Sequence, residues 1–223
     1  MKQRSITVIT AIIFDMDGVL ADSELLHVLA SQRLLERYGV TVDEAFLRRY
    51  TGMDNAVFLG DVIREFGLDA AIPELHKQRV DILVGLLREQ VEPVSGMEEM
   101  VRGISDLPVK RGLASSSPRP VVMTILKKFD LFEWFDAVVT GDDVERGKPD
   151  PGIFLEAARQ LGVSPADCIV VEDSKNGVAA AVAAGMDVIG FFNPNSGDQD
   201  LSRAGRVVDS LEAIPGLIRA SAV

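Results

Sequence analysis

A chain of 223 residues with 47% apolar side chains can bury a full core, and its length suits one domain with a sizeable insertion better than two independent domains; disorder and coiled coil are excluded. With 34 Asp and Glu against 23 Lys and Arg, the formal charge of -11 argues against nucleic acid or an anionic membrane as the main partner, since both require clustered positive charge. An anionic substrate would be repelled too, so a site for one must take local positive charge from a few lysines, helix N-termini or a metal ion.

The first 13 residues place two basic side chains before an apolar stretch, as a signal peptide does. Asp15 and Asp17 interrupt the run, no small-residue cleavage site follows, and no stretch reaches the roughly 18 apolar residues of a membrane span. The single cysteine, Cys168, lies in an apolar run, so no internal disulfide can form; a buried thiol and a cytoplasmic location are the expectation.

Short apolar, β-branched runs recur at residues 8–14, 109–114, 137–139, 169–171 and 188–192, several with helix-like segments between them. This alternation predicts an α/β fold with a Rossmann-like parallel sheet wrapped by helices. The first run does not alternate, as expected of a central strand covered on both faces. Between about Ser23 and Glu92 no strand-like run occurs and helical periodicity dominates, which predicts an inserted helical unit at residues 22–92 in a core made of 1–21 and 93–223. One helix there should bury Leu25, Val28, Leu29 and Leu35 and stop near Gly39. Another should start with Pro73 in its first turn and bury Val80, Leu83, Val84 and Leu87. Glu92-Pro93-Val94-Ser95-Gly96 reads as the return linker.

Ligands of parallel sheets bind beyond the carboxyl ends of the strands. Four predicted ends carry polar sets: Asp15-Met16-Asp17-Gly18, Ser115-Ser116-Ser117, Gly147-Lys148-Pro149-Asp150 and Glu172-Asp173-Ser174. Each alone has an ordinary explanation as a capped turn, an N-cap, a solvated side chain or a helix start. Together, four ends of one sheet converge and can supply a nucleophile, an acid, anion donors and metal ligands. The ordered strings Phe14-Asp15-Met16-Asp17-Gly18-Val19-Leu20, Leu113-Ala114-Ser115-Ser116-Ser117, Gly147-Lys148-Pro149-Asp150-Pro151 and Val171-Glu172-Asp173-Ser174 resemble the haloacid dehalogenase superfamily, in the phrasing of its sugar-phosphate phosphatase and β-phosphoglucomutase-like branch.

That resemblance implies a helical cap inserted after the first strand, and a magnesium-dependent phosphatase that forms an aspartyl-phosphate on Asp15 and acts on a small phosphorylated metabolite such as a sugar phosphate. Asp15 is then nucleophile and magnesium ligand, its plainer alternative being ligation alone. Asp17 is general acid and base, with its backbone carbonyl toward the metal; it points to the same side as Asp15 only where the chain is extended. Ser115 hydrogen-bonds a phosphoryl oxygen, while Ser116 and Ser117 are open alternatives. Lys148 offsets the charge of Asp15 and the transferring group. Asp173 is the remaining metal ligand, and Glu172 binds through water or orients Lys148.

In the cap, His27 falls where related enzymes place a histidine near the acid, Arg79 resembles a substrate-contacting basic residue of the mutase branch, and either could instead be an ordinary cap residue. Mutases carry an arginine where Gly52-Met53-Asp54 is followed by Asn55, and a lysine where Pro118 stands. Both departures favour a plain phosphatase over a mutase. Asp17 separates the chain from the dehalogenase and phosphonate-cleaving branches; the cap's only lysine is Lys77. A non-catalytic phosphometabolite-binding or receiver-like module is a further alternative, against which Asp17 and the helical insertion both stand. Hexose phosphates, phosphogluconate, glycerol phosphate and nucleoside monophosphates all remain open as substrates, and a monomer is the simplest assembly.

Overall fold

The computed structural model describes residues 9–50, 55–196 and 199–221. In chain order the elements are β1 (Ala11–Phe14), β2 (Ala21–Asp22), α1 (Glu24–Glu36), α2 (Glu44–Arg48), α3 (Asn55–Phe66), α4 (Ile72–Gln90), β3 (Glu92–Pro93), α5 (Met97–Ser105), β4 (Lys110–Ala114), α6 (Arg119–Lys128), β5 (Ala137–Val139), α7 (Gly152–Leu161), β6 (Cys168–Glu172), α8 (Lys175–Ala183), β7 (Asp187–Phe191), β8 (Arg206–Val208) and α9 (Ile214–Ser221). Six strands form one parallel sheet in the order β5-β4-β1-β6-β7-β8. β1 is central and buried along its whole length, as its unbroken apolar run predicts.

Successive β1 side chains point to opposite faces, and the packing follows that period. Ile12 and Phe14 join a cluster with residues of α5, α6 and α9 and of the insertion helices α1, α3 and α4. Ala11 and Ile13 join a second cluster with α7 and α8. The first cluster runs without a break from the sheet into the insertion, so both share one apolar interior. β2 and β3 pair antiparallel, Ala21 with Pro93 and Asp22 with Glu92, where the chain leaves and re-enters the sheet layer.

α1 ends as its sequence predicts: Gly39 takes φ +74°, the Gly39 amide donates to the Glu36 carbonyl at 3.0 Å, and the Val40 amide donates to the Leu35 carbonyl at 3.1 Å, a turn that closes the last carbonyls. Its buried stripe is shifted, however. Leu26, Ala30, Leu34 and Leu35 face inward, whereas Leu25, expected inside, is 64% exposed in the first turn. α4 has Pro73 in its first turn and buries Val80, Leu83 and Leu87, with Val84 half-buried. β8 escaped the sequence because it is a short, largely exposed edge strand beginning at an arginine, a pattern that protects sheet edges and carries little hydrophobic signal. Val8 and the segment Gly52-Met53-Asp54 lie outside the described residues. Among those described, no helix is long and apolar enough to cross a membrane.

Candidate active site

Strand register decides which side chains meet. Phe14 of β1 lies between Leu113 of β4 and Val171 of β6, so Asp15, Ala114 and Glu172 come level at the carboxyl edge, with Ser115 one residue beyond Ala114. The Asp15 amide donates to the Val171 carbonyl at 3.0 Å, which anchors the turn that follows. A cavity of about 660 Å³ opens above this edge; it is lined by Asp15, Asp17, Lys148, Glu172 and Asp173 from the sheet layer and by side chains of the insertion helices.

Lys148 comes from the loop before α7 and is held from three sides: it forms an ion pair with Asp15, donates to Glu172 Oε1 at 2.8 Å, and donates to the Ala114 carbonyl at 3.1 Å. Glu172 in turn accepts from the Ser174 amide at 2.7 Å. The position of its carboxylate requires Gly177 in the first turn of α8, since a Cβ there would collide with it. Burial pushes the Asp15 carboxyl well above its usual range; Lys148 pulls it down, while the charges of Glu172, Asp173 and Asp17 push it up further.

Asp17 turns toward the insertion. Its Oδ1 accepts from Ser23 Oγ at 2.5 Å and lies 3.3 Å from His27 Nε2; its Oδ2 accepts from Ser117 Oγ at 2.9 Å. Burial acts to raise this carboxyl, but the hydrogen bonds and charge of His27, with Ser23 and Ser117, outweigh it and hold Asp17 at about 2. Ser115 directly follows β4 at the same edge of the sheet. It is fully buried, its hydroxyl accepts from the Ser117 amide at 3.1 Å and sits 3.5 Å from Asp17, and the cavity is faced instead by Ser116 and Ser117.

Asp173 packs against Gly18, whose φ of +79° and missing Cβ are both required: a side chain there would run into the Asp173 carboxylate. Burial and then the charge of Glu172 raise Asp173 to about 7, with the Ser196 hydroxyl acting the other way. Four carboxylates thus share one edge with Lys148, but they do not all aim at one point. Among the described residues, no three His, Cys, Asp or Glu side chains form a ready-made metal cluster. Of the four predicted ligands, the Asp17 and Glu172 carboxylates are turned to neighbouring groups, although the ligand expected of Asp17 is its backbone carbonyl; the carboxylates that remain are those of Asp15, itself paired with Lys148, and Asp173. That pair fits magnesium, which takes one or two carboxylates and fills its remaining positions with water and substrate oxygens. The buried Gln199 Oε1, without a partner among the described residues, lies on a side chain whose Nε2 donates to the Asp173 carbonyl at 2.7 Å and suits an ordered water.

At the insertion end, Arg79 donates to Ser31 Oγ at 2.9 Å and to the His27 carbonyl at 3.3 Å; burial lowers it to about 10 although Glu24 and Asp17 favour its charge. Asn55 and His76 line the same cavity, bonded to one another at 2.7 Å. His76 was not singled out from the sequence, nor was the loop after β7. In that loop Asn193 Nδ2 donates to the Gly18 carbonyl, and Asn195 Nδ2 to Asp22, each at 2.8 Å. The strand-end rule that found the other four loops, applied to the run 188–192, would have pointed to Asn193-Pro194-Asn195-Ser196.

A family model described as haloacid dehalogenase-like hydrolase matches residues 12–191. The phosphorylated carbohydrates phosphatase of Thermotoga maritima is 34% identical over 202 residues, covering 88% of this chain and 92% of its own. The probable pseudouridine-5'-phosphatase of Drosophila melanogaster is 33% identical over 218 residues, 95% of this chain and 94% of its own. Among solved structures, CbbY from Rhodobacter sphaeroides in complex with phosphate has a TM-score of 0.84 at 26% identity, covering 93% of this chain and 96% of that one. With the model spanning most of the sheet and its loops, the chain belongs to the haloacid dehalogenase-like hydrolase family.

Proposed function

We propose that this chain is a phosphatase that hydrolyses a small phosphorylated metabolite, by class a sugar phosphate, through phosphoryl transfer to Asp15. The observation that carries the reading is the placement of Asp15 against Lys148, with Asp17 facing the same cavity from the other side. The phosphatase names of relatives matching over nearly the whole chain support it.

A carboxylate oxygen of Asp15 attacks phosphorus and the ester bond breaks; the departing alkoxide takes a proton from Asp17, which must enter this step protonated, by taking the proton of a phosphate monoester monoanion whose charge in the cavity raises Asp17 above the value of about 2 at which His27, Ser23 and Ser117 otherwise hold it. Water then gives a proton to Asp17 as it attacks the aspartyl-phosphate, and cleavage of the acyl-phosphate bond releases inorganic phosphate and restores Asp15. Lys148 balances charge on the transferring group in a site from which most water is excluded. Magnesium, held by Asp15 and Asp173, supplies further neutralisation of phosphoryl oxygens when bound. Ser117, bonded to Asp17 and facing the cavity, is the better placed of the serines to meet a phosphoryl oxygen, with Ser115 supporting it from beneath.

Residues 22–92 act in this reading as a cap over a core of 1–21 and 93–223, with the paired β2 and β3 as its hinge. Within the cap, His27 restrains Asp17, Arg79 braces the helix that carries His27, and Asn55 contributes to the wall around the leaving group. A cytoplasmic monomer completes the reading.

The test is phosphate release from a panel of phosphate monoesters, with magnesium and with chelator, by wild type, Asp15→Asn and Asp17→Asn. Magnesium-dependent turnover lost in both variants is expected. Interconversion of a hexose monophosphate only after addition of a bisphosphate would make the chain a mutase, and binding without turnover of any ester would make it a non-catalytic module.

A further inference from the structure

The phosphoryl chemistry leaves one wall of the cavity unused, the loop that follows β7. Ser196 and Gln199 of that loop, both half-buried, line the cavity together with Asp173, and both bond to it. The Ser196 hydroxyl donates to the Asp173 carboxylate, and the two side chains share the space that Gly18 leaves, where a Cβ would meet both. Gln199 Nε2 donates to the Asp173 carbonyl at 2.7 Å. One residue thus fixes the carboxylate, the other the backbone that carries it. The loop is itself held: the Ser196 amide donates to the Asn193 carbonyl at 3.1 Å, and the Asn193 side chain, 3% exposed, donates to the Gly18 carbonyl at 2.8 Å. Ser196 therefore meets Asp173 from a fixed backbone, as a residue that orients another must.

These bonds leave capacity for a cation. A carboxylate has about four acceptor sites, of which Ser196 takes one. Gln199 gives the sharper signal. The Asp173 carbonyl can only accept, so the Gln199 amide must turn Nε2 toward it, and that orientation encloses Oε1 without a donor among the described residues. An acceptor enclosed in this way costs free energy unless something donates to it. The cavity donors Lys148, Ser117 and Ser196 are engaged, Lys148 with Asp15, Glu172 and the Ala114 carbonyl, Ser117 with Asp17, and Ser196 with Asp173. A phosphate monoester brings mainly acceptors. Water on a magnesium ion is a strong donor, because the ion draws charge from its oxygen, and magnesium keeps several of its waters when it binds a protein.

We propose that Ser196 and Gln199 are positioning residues for magnesium: Ser196 holds the Asp173 carboxylate in its ligating orientation, and Gln199 Oε1 accepts a hydrogen bond from a water of the ion. This assignment rests on the ligand pair Asp15 and Asp173 of the phosphatase reading and extends it to a fifth loop. Partners that orient a ligand in this way are worth about 10- to 100-fold in metal affinity.

Its test is calorimetric titration of magnesium chloride into metal-free wild type, Ser196→Ala, Ser196→Thr and Gln199→Leu, with the rise in melting temperature at saturating magnesium as a second readout. Ser196→Ala and Gln199→Leu each weaken magnesium binding about tenfold or more, and Ser196→Thr, which keeps the hydroxyl, stays within about threefold of wild type. Each variant is first shown to unfold cooperatively in chelator; for one that does not, Ser196→Cys or Gln199→Met takes its place. A substitution that only disturbs packing lowers the melting temperature in chelator and leaves magnesium affinity alone. Unchanged affinity in Ser196→Ala or in Gln199→Leu therefore removes that residue from the assignment, and equal weakening by Ser196→Ala and Ser196→Thr removes Ser196. Unchanged affinity in both, or a wild type that binds no magnesium, overturns it. Turnover of p-nitrophenyl phosphate by the wild type judges the phosphatase reading separately: hydrolysis with unchanged magnesium affinities sinks the assignment alone, whereas weakened magnesium binding in the variants without hydrolysis of any ester by the wild type sinks the phosphatase reading alone.

Discussion

Lys148 and Glu172 form an ion pair that solvent scarcely reaches, Nζ to Oε1 2.8 Å apart with the side chains 6% and 1% exposed. Glu172 is pinned by the Ser174 amide at the mouth of α8, and so fixes where Lys148 can stand. The ammonium has little freedom left, and its one position is against Asp15. A buried pair of this kind need not add stability relative to an apolar pair, but breaking it strands a charge.

Lys148→Met should therefore destabilise the protein by about 3–5 kcal/mol, because Asp15 and Glu172 are left buried without a counter-ion. Urea denaturation near neutral pH measures this. A loss under about 1 kcal/mol would mean that the two carboxylates find other compensation and that the charge balance described above is wrong. Catalysis should fall with the loss of the cation, and the unfolding curve distinguishes that from mere unfolding.

Asp173 gives the protein a pH-dependent liability. Its carboxyl rises from an ordinary 3.8 to about 7 through burial and the Glu172 charge, so the folded chain holds a proton that the unfolded chain has lost between those values. Stability consequently falls as pH rises through that window, and the deficit is complete above about 7. Without divalent cation, Asp173→Asn should melt higher than wild type at about pH 8 and come close to it at about pH 4, where the Asp173 carboxyl is neutral in the folded chain and about half ionised in the unfolded one. Magnesium should raise the melting temperature of wild type at the higher pH and do little for the variant. A variant less stable than wild type at the higher pH in chelator contradicts this account.

The sheet was legible because a buried parallel strand advertises itself: the run ending at Phe14 is apolar without alternation, and Asp15 follows where the chain must leave the core. The polar strand ends could be read for the same reason, since a charged residue directly after a buried strand has few places to go. What stayed hidden is contact between distant segments. Nothing local to His76 marks it as facing a cavity, because its meeting with Asn55 depends on how α3 packs on α4. Leu25 misled through periodicity, since it fits the apolar pattern of α1 as well as Leu26 does and only the partner helix α4 selects the inward face. Ser115 and Ser117 differ by two residues in one loop, and which hydroxyl reaches the cavity is a matter of side-chain geometry beyond any motif.

Cys168 begins β6 fully enclosed, with Sγ 3.4 Å from the Ser164 carbonyl; burial, and then the charge of Asp167, pushes the thiol up to about 11. Only the thiolate is reactive, so the native protein should resist a thiol-disulfide reagent at about pH 8 and release one equivalent after denaturation. Rapid labelling of the native state would show that the start of β6 opens readily, contrary to its place beside the central strand.

Asn193 and Asn195 lie two residues apart, and both bond to the segment that follows β1, yet they should behave differently. Asn193 is 3% exposed, donates to the Gly18 carbonyl and accepts from the Asn195 amide at 2.9 Å. Its loss strands buried groups on both sides, so Asn193→Ala should cost about 1–3 kcal/mol. It should also weaken magnesium binding, since the Gly18 turn it holds is the surface against which Asp173 packs. The bond from Asn195 to Asp22 is exposed and competes with water, so Asn195→Ala should change stability by less than about 0.5 kcal/mol. Because Asp22 belongs to the β2–β3 pair, any effect of Asn195→Ala should appear in KM or in the rate of cap movement. Paired unfolding curves and magnesium titrations of the two variants decide the matter: equal destabilisation would mean that the loop acts as one structural clip, whereas the expected split assigns Asn193 to the Gly18 turn and Asn195 to the cap junction.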